Sequence, residues 1–320
     1  MPDVWSRERE VGIIEKPALK LVNITKSFGE NTVLKDLNLA VQPGDIFGFL
    51  GNNGSGKTTT IRILFGLIRP SRGYFQVFQH ICPRSLNQAK KIMSGLVDNP
   101  AFYDNLSGRD NLRIFSSLAG YRPTLQALEE TAELVGVSHM LAKPVRTYSN
   151  GQKKRLGIAQ ALLPQPQLIV LDEPTAGLDP IGVKNIRDLV IHLNREMNMT
   201  VFLSSHVLSE VQITCNQVAI IHEGRILKHS AVDELLSVSL FRMKALPEEK
   251  VAAFLCEHRL IFRQSNGFFL IQTSEDLVPP LIEALSNRDI SIFEISPYRM
   301  SLEEVFLETI AGEGHERPDN

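Results

Sequence analysis

Cysteine is scarce in this 320-residue chain, and the three present, Cys82, Cys215 and Cys256, lie far apart without a C-x-x-C pair. That spacing excludes a disulfide framework and a cysteine zinc site, suits a reducing compartment, and marks all three as small buried apolar residues. An excess of one charge is also lacking. A net charge of −2 and a pI near 6.5 give no bulk field to hold nucleic acid, so no nucleic-acid partner is expected. Long apolar runs are missing too: the best candidates, residues 168–171 and 218–221, are strand-sized and far short of the roughly 20 residues that span a bilayer. Met1-Pro2-Asp3-Val4-Trp5-Ser6-Arg7-Glu8 carries charge where a signal peptide needs an apolar core. The expectation is a protein that alone neither crosses a membrane nor is secreted.

What the chain does carry is Gly51-Asn52-Asn53-Gly54-Ser55-Gly56-Lys57-Thr58-Thr59, directly after Ile46-Phe47-Gly48-Phe49-Leu50. The apolar run reads as a short buried strand and residues 58–67 as a helix. The pattern G-x-x-x-x-G-K-[ST] thus sits between the two elements its mechanism needs. Glycines let the backbone curl so that N–H groups face phosphate oxygens. The helix N-terminus adds partial positive charge, Lys57 reaches the β- and γ-phosphates, and the Thr58 hydroxyl ligates Mg²⁺. A Gly-rich turn beside a solvated lysine is the competing reading, and the flanking strand and helix weigh against it. The motif predicts binding of ATP or GTP.

Leu168-Ile169-Val170-Leu171-Asp172-Glu173 is an apolar run ending in two acids. A buried strand of this kind delivers Asp172 to the metal beside the phosphates and Glu173 to an attacking water. Alone, two acids at a strand end usually face solvent; a phosphate loop upstream changes that balance.

Residues 1–17 are polar, end at Pro17 and read as a flexible tail. Strand patterns at 19–24 and 32–41 flank a turn over 26–31. A helical pattern fills residues 87–145, and strands return at 168–171, 201–203 and 218–221, with a helix over 180–197. The reading is an α/β core over 18–236 with a helical insert at about 87–157. A strand at 240–246, a helix at 247–258 and a hairpin of 260–263 with 268–273 around Asn266-Gly267 follow. A helix interrupted by Pro279-Pro280 and a strand at 290–295 complete the order β-α-β-β-α-β. This predicts a small α+β, ferredoxin-like domain over 237–312, closed by a helix at 302–310, with a polar tail at 313–320.

Tyr148-Ser149-Asn150-Gly151-Gln152, followed by Lys153-Lys154-Arg155 and standing shortly ahead of the 168–171 strand, resembles the signature motif of ABC ATPases, usually written L-S-G-G-Q. Ala176-Gly177-Leu178-Asp179-Pro180 is similar to the family's D-loop and Ser204-Ser205-His206 to its switch-histidine segment. Phe28 occupies the place of the aromatic that stacks on adenine. With the phosphate loop and the Asp172 strand, these motifs stand in family order over about residues 19–235.

The resemblance implies a P-loop ABC-type ATPase core with a helical subdomain, hydrolysing ATP with Mg²⁺. In it Glu173 is the catalytic base and His206 senses the γ-phosphate. The Ser149-Asn150-Gly151 end of the signature completes the ATP site of a second subunit in a head-to-tail dimer, a homodimer or a pair of different ATPases, and Gln152 and Asp179 are further nucleotide-site residues. A helix cap followed by a solvated Lys153-Lys154-Arg155 is compatible with that reading. Two departures stand out. Tyr148 and Asn150 replace the usual Leu and Gly, and Asp98 sits where many relatives carry the Q-loop glutamine. Asp98 is a candidate metal-linked switch or a surface turn before Pro100.

The segments Asn99-Pro100-Ala101-Phe102-Tyr103, Leu106-Ser107-Gly108-Arg109-Asp110-Asn111-Leu112 and Ser301-Leu302-Glu303-Glu304-Val305-Phe306-Leu307-Glu308 resemble ATP-binding subunits of bacterial peptide-antibiotic and multidrug exporters. That subgroup implies a separate multi-span permease as partner and a place on the cytoplasmic face of the membrane. Two alternatives stay open: a soluble ABC ATPase acting on a non-transport complex, and a regulatory protein that binds nucleotide and hardly hydrolyses it. A second phosphate loop and sustained heptads, which mark soluble relatives, are both missing.

Overall fold

The computed structural model describes residues 16–98, 100–236, 240–265 and 267–315. The expected N-terminal tail lies outside them except for Lys16 and Pro17, as do Asn266 of the hairpin turn and residues 316–320. The chain divides into two compact units, one reaching to Ser230 and one starting at Ala231.

In the first unit, β1 (Leu19–Phe28) and β2 (Asn31–Val41) form a hairpin, and β3 (Ile46–Leu50) leads through the phosphate loop into α1 (Lys57–Leu64). Strands β4 (Arg72–Val77) and β5 (His80–Cys82) complete an antiparallel sheet ordered β2-β1-β4-β5. The short α2 (Leu86–Ala89) and β6 (Met93–Leu96) precede α3 (Gly108–Leu118), α4 (Leu125–Leu134) and α5 (Asn150–Leu162). Both α3 and α4 pack on α5, forming the helical insert. Then come β7 (Leu168–Asp172), α6 (Pro180–Arg195), β8 (Thr200–Ser205), α7 (Leu208–Thr214), β9 (Gln217–His222) and β10 (Arg225–Ala231). The second sheet is ordered β10-β9-β3-β8-β7-β6, with β9, β3, β8, β7 and β6 parallel.

Strands β3, β7 and β8 are buried at every residue, so their central residues run apolar without alternation and polar ones appear only at the strand ends. Phe47 stacks on Phe202 with centroids 5.6 Å apart, and burying each ring contributes about 1.5–3 kcal/mol. Leu50 pairs with Ser205 and Asp172 with Ser204, so β3, β8 and β7 end level. Ligands of open α/β sheets bind beyond such carboxyl ends.

The structure corrects several element readings. Met93–Leu96 is a strand inside the stretch read as helical; four residues are too few to show a period, and Gly95 allows close approach, since a Cβ there would lie 1.9 Å from the Val170 carbonyl oxygen. The turn expected over 26–31 shrinks to Gly29 and Glu30, because β1 stays paired through register shifts up to Phe28. Helix α1 stops at Leu64, short of residue 67.

In the second unit a short α8 (Val232–Leu236) precedes β11 (Leu240–Leu246), α9 (Glu248–Glu257), β12 (Phe262–Ser265), β13 (Phe268–Gln272), α10 (Val278–Ser286), β14 (Ser291–Tyr298) and α11 (Leu302–His315). The antiparallel sheet is ordered β12-β13-β11-β14, the split β-α-β-β-α-β arrangement. Alternate residues Met243, Phe269 and Ile271 meet Val251, Phe254 and Leu285 of the helices in one core. Pro279-Pro280 begin α10 instead of interrupting it, since first-turn residues have no helical N–H bond to lose.

Cys82 and Cys215 are buried, but Cys256 is exposed, contrary to the expectation for all three. Its neighbours Phe254 and Leu255 hold the core side of α9, leaving Cys256 on the outer side. Burial pushes the Cys82 thiol up to about 11 and the Cys215 thiol further in the same direction. At pH 8 a disulfide reagent should therefore modify Cys256 rapidly, and the other two only in denaturant. A second thiol reacting as fast in the native protein would contradict this packing.

Candidate active site

The phosphate loop owes its shape to its glycines. A Cβ on Gly51 would meet the Ile221 carbonyl oxygen at 2.4 Å and Ser55 Oγ at 2.5 Å, and Gly56, at φ 112°, caps α1 from a conformation that side chains rarely adopt. No side chain caps α1, and Ser55 Oγ is buried without a hydrogen-bond partner. Asn52, Asn53 and Gly54 form the exposed crest, with Thr58 and Thr59 half-buried in the first helical turn. An uncapped helix start, an orphaned hydroxyl and a lysine beside it form a donor set that fits a phosphate chain.

Lys57 is buried, and its ammonium donates to the carbonyls of Gly51 at 2.6 Å and Asn52 at 3.3 Å. It also lies 3.3 Å from Glu173 Oε1, while Glu173 Oε2 meets His206 Nδ1 at 2.7 Å. Asp172 Oδ1 accepts from Ser204 Oγ at 2.5 Å, and that same Oγ accepts from the Glu173 N–H at 2.9 Å. The structure thus joins Lys57, Asp172, Glu173 and His206 through the ends of β3, β7 and β8. Glu173 sits at φ 47°, a left-handed conformation that costs a non-glycine residue about 1–3 kcal/mol and must be held by its surroundings.

A second group gathers elsewhere. Ser149 caps α5, accepting from the Gln152 N–H, while Gln152 Oε1 accepts from the Ser149 N–H, a complete capping box. The Gln152 side chain is thereby engaged within its own turn. Ser149, Asn150 and Gly151 share a cavity of about 340 Å³ with Gly177 and Asp179, and no phosphate-loop residue lines it. Asp179 caps α6 through the Gly182 N–H at 3.1 Å. Tyr148 is buried, donates to the Met140 carbonyl, and has its phenol pushed up to about 12 by burial.

Phe28 is exposed at the end of β1, with Lys26 Nζ 4.7 Å from the ring centroid. Asp98, at φ 55°, is engaged by Arg62 of α1 at 2.8 Å, both side chains about half exposed. Asp98 is thus paired with α1, and among the described residues no cluster of three or more His, Cys, Asp and Glu side chains is suited to a metal.

Sequence reasoning missed Ser204 as a partner of both acids, and it missed Lys154. Read as solvated, Lys154 is only 6% exposed and donates to the carbonyls of Glu173 at 2.9 Å and Ala176 at 2.6 Å. The signal was available in helical spacing, because Lys154 shares a stripe with buried Gly157, Ile158, Ala161 and Leu162.

A family profile described as ABC transporter matches residues 34–176. The bacitracin transport ATP-binding protein BcrA of Bacillus licheniformis is 37% identical over 92% of this chain and 97% of its own length. The protein of the same name from Enterococcus faecalis is 32% identical over 94% and 99%. Among solved structures, cbiO1 from Clostridium perfringens covers 85% of this chain and 100% of its own at TM-score 0.62 and 24% identity. A dimeric ATP-binding cassette with ADP and Pi covers 67% and 98% at TM-score 0.60 and 23% identity, a likeness of fold. Identity at this level along nearly the whole chain, with the loop, acids and signature in place, shows that the protein belongs to the ABC transporter family as one of its ATP-binding subunits.

Proposed function

We propose that the chain is the ATP-hydrolysing engine of an exporter of peptide antibiotics, drugs or similar compounds. It works as a homodimer on the cytoplasmic face of the membrane with a separate multi-span permease. The Lys57–Glu173–His206 cluster carries the hydrolytic reading, and the names of the bacitracin transport relatives support the substrate class. The unit ending at Ser230 forms the engine in this reading, and the unit starting at Ala231 a small appended domain.

Phosphate oxygens offered to Lys57 compete with the Glu173 carboxylate for the same ammonium. Glu173, released, accepts a proton from the attacking water, while His206 orients that carboxylate and contacts the γ-phosphate. Phe28 stacks on the base. Thr58 and Asp172 would hold Mg²⁺, which when bound neutralises charge on the phosphate oxygens. Few protein ligands suit an ion that draws on phosphate and water. The Ser149–Gly151 turn and Asp179 lie apart from the phosphate loop, which supports their serving a second copy of the chain. Asp98, engaged by Arg62, is better suited to linking α1 with the segment before Pro100 than to ligating the ion.

Glu173→Gln keeps the side chain's size and removes the base. Phosphate release should fall by about 100- to 10,000-fold while ATP binding persists and the dimer is trapped, as read by size exclusion. Undiminished turnover would remove Glu173 from that role. The tagged variant, with ATP and Mg²⁺, should recover a stoichiometric multi-span protein from gently solubilised membranes. Recovery only with ribosomes or a soluble complex would favour a non-transport role.

Asp98→Ala removes an exposed pair contributing about 0–1 kcal/mol. The Mg²⁺ dependence of hydrolysis should stay unchanged, and hydrolysis stimulated by the permease should fall. A weakened response to Mg²⁺ would return Asp98 to the metal site.

A further inference from the structure

Lys154 sits little more than one turn beyond Ser149 on α5, with its ammonium buried among backbone carbonyls. Burial lowers its pKa from the ordinary lysine value, opposed by the nearby Glu173 and Asp172 carboxylates. Stability alone is a poor reason for such a group, because an apolar side chain of equal length fills the space without desolvating a charge.

What the ammonium does is local. Glu173 holds an uncommon left-handed backbone, and its N–H is fixed by Ser204 of β8. Its carbonyl accepts from Lys154 Nζ and from the Ala176 N–H. Both peptide groups flanking Glu173 are therefore held, one by the sheet and one by the signature helix. The direction of the carboxylate toward Lys57 and His206 follows from that backbone.

We propose that Lys154 is a positioning residue, holding Glu173 in its working orientation and tying it to the signature turn of the same chain. The Ala176 carbonyl extends the tie to the segment leading into Asp179. The proposal rests on the reading of Glu173 as base. In a head-to-tail dimer it joins the base of one ATP site to the signature that serves the other.

The test uses full-length Lys154→Met and Lys154→Gln beside Glu173→Gln, with MgATP hydrolysis, affinity for a methylanthraniloyl ATP analogue, and Tm measured for each. Lys154→Met should lower kcat about 10- to 100-fold, the range of a small misplacement of a reacting group. Nucleotide affinity should stay unchanged and Tm unchanged or raised. Lys154→Gln, whose amide still donates to a carbonyl, should recover part of kcat. Wild-type kcat in Lys154→Met beside an inactive Glu173→Gln would overturn the positioning role alone, and an active Glu173→Gln would overturn the base. Parallel losses of kcat, affinity and Tm in both lysine variants would mark Lys154 as a support of the fold. Should Lys154→Met not fold, Lys154→Gln decides: lowered kcat at unchanged affinity upholds the role, and wild-type kcat or parallel loss of affinity overturns it.

Discussion

Leu50, Ser205, Ser204 and Asp172 end level because three fully buried strands run parallel in one register, and the contacts among Lys57, Asp172, Glu173 and His206 are hung from that edge. A register slip of one residue would reverse the faces of Asp172 and Ser204 and separate the acids from Lys57. Such a slip is opposed by the packing of β3, β7 and β8, none of which has an exposed residue. The stacked Phe47 and Phe202 rings add a shape constraint across two of these strands. Placement of the chemistry is thus a consequence of hydrophobic burial before any polar contact is made.

On that edge the charges are arranged to satisfy one another. Two adjacent acids at a strand end would repel, yet each has its own donors: Ser204 for Asp172, and Lys57 with His206 for Glu173. Lys154 adds a second buried ammonium behind the pair, bonded to carbonyls instead of carboxylates. In the proposed function the Lys57 contact is exchangeable, since phosphate oxygens compete with the carboxylate for the same ammonium. The bonds from the Glu173 N–H to Ser204 and from Lys154 to the Glu173 carbonyl are, by contrast, backbone contacts. In the proposed function, a carboxylate released from Lys57 on a held backbone suits the part of general base.

Elements with a strong pattern were legible from sequence. The run before the phosphate loop and the run ending at Asp172 read as buried strands, and Ser149 with Gln152 had capping spacing. Met93–Leu96 was not legible, because its strand character comes from pairing with Leu168–Leu171 far along the chain. Lys154 was hidden by its neighbours Lys153 and Arg155, which made a charge run out of residues facing different ways around α5. Ser204 belonged to a recognised segment, but its bond to Asp172 depends on a lateral pairing that no single strand encodes. Periodicity reveals what one element needs; contacts between elements require the register.

Tyr148 shows how a departure from the usual signature is absorbed. A tyrosine in place of leucine brings a hydroxyl into a buried position, where an unbonded one would cost about 1–3 kcal/mol. It is bonded to the Met140 carbonyl, and room for it comes from Gly108, where a Cβ would stand 2.3 Å from the phenol oxygen. The residue is thus matched to a specific glycine at the start of α3 and a specific carbonyl ahead of α5. Both lie within the helical insert, so the adaptation stays local while Ser149 keeps its cap and its place in the cavity beside Asp179. Tyr148 thus gives the signature turn a buried, hydrogen-bonded anchor immediately before the serine.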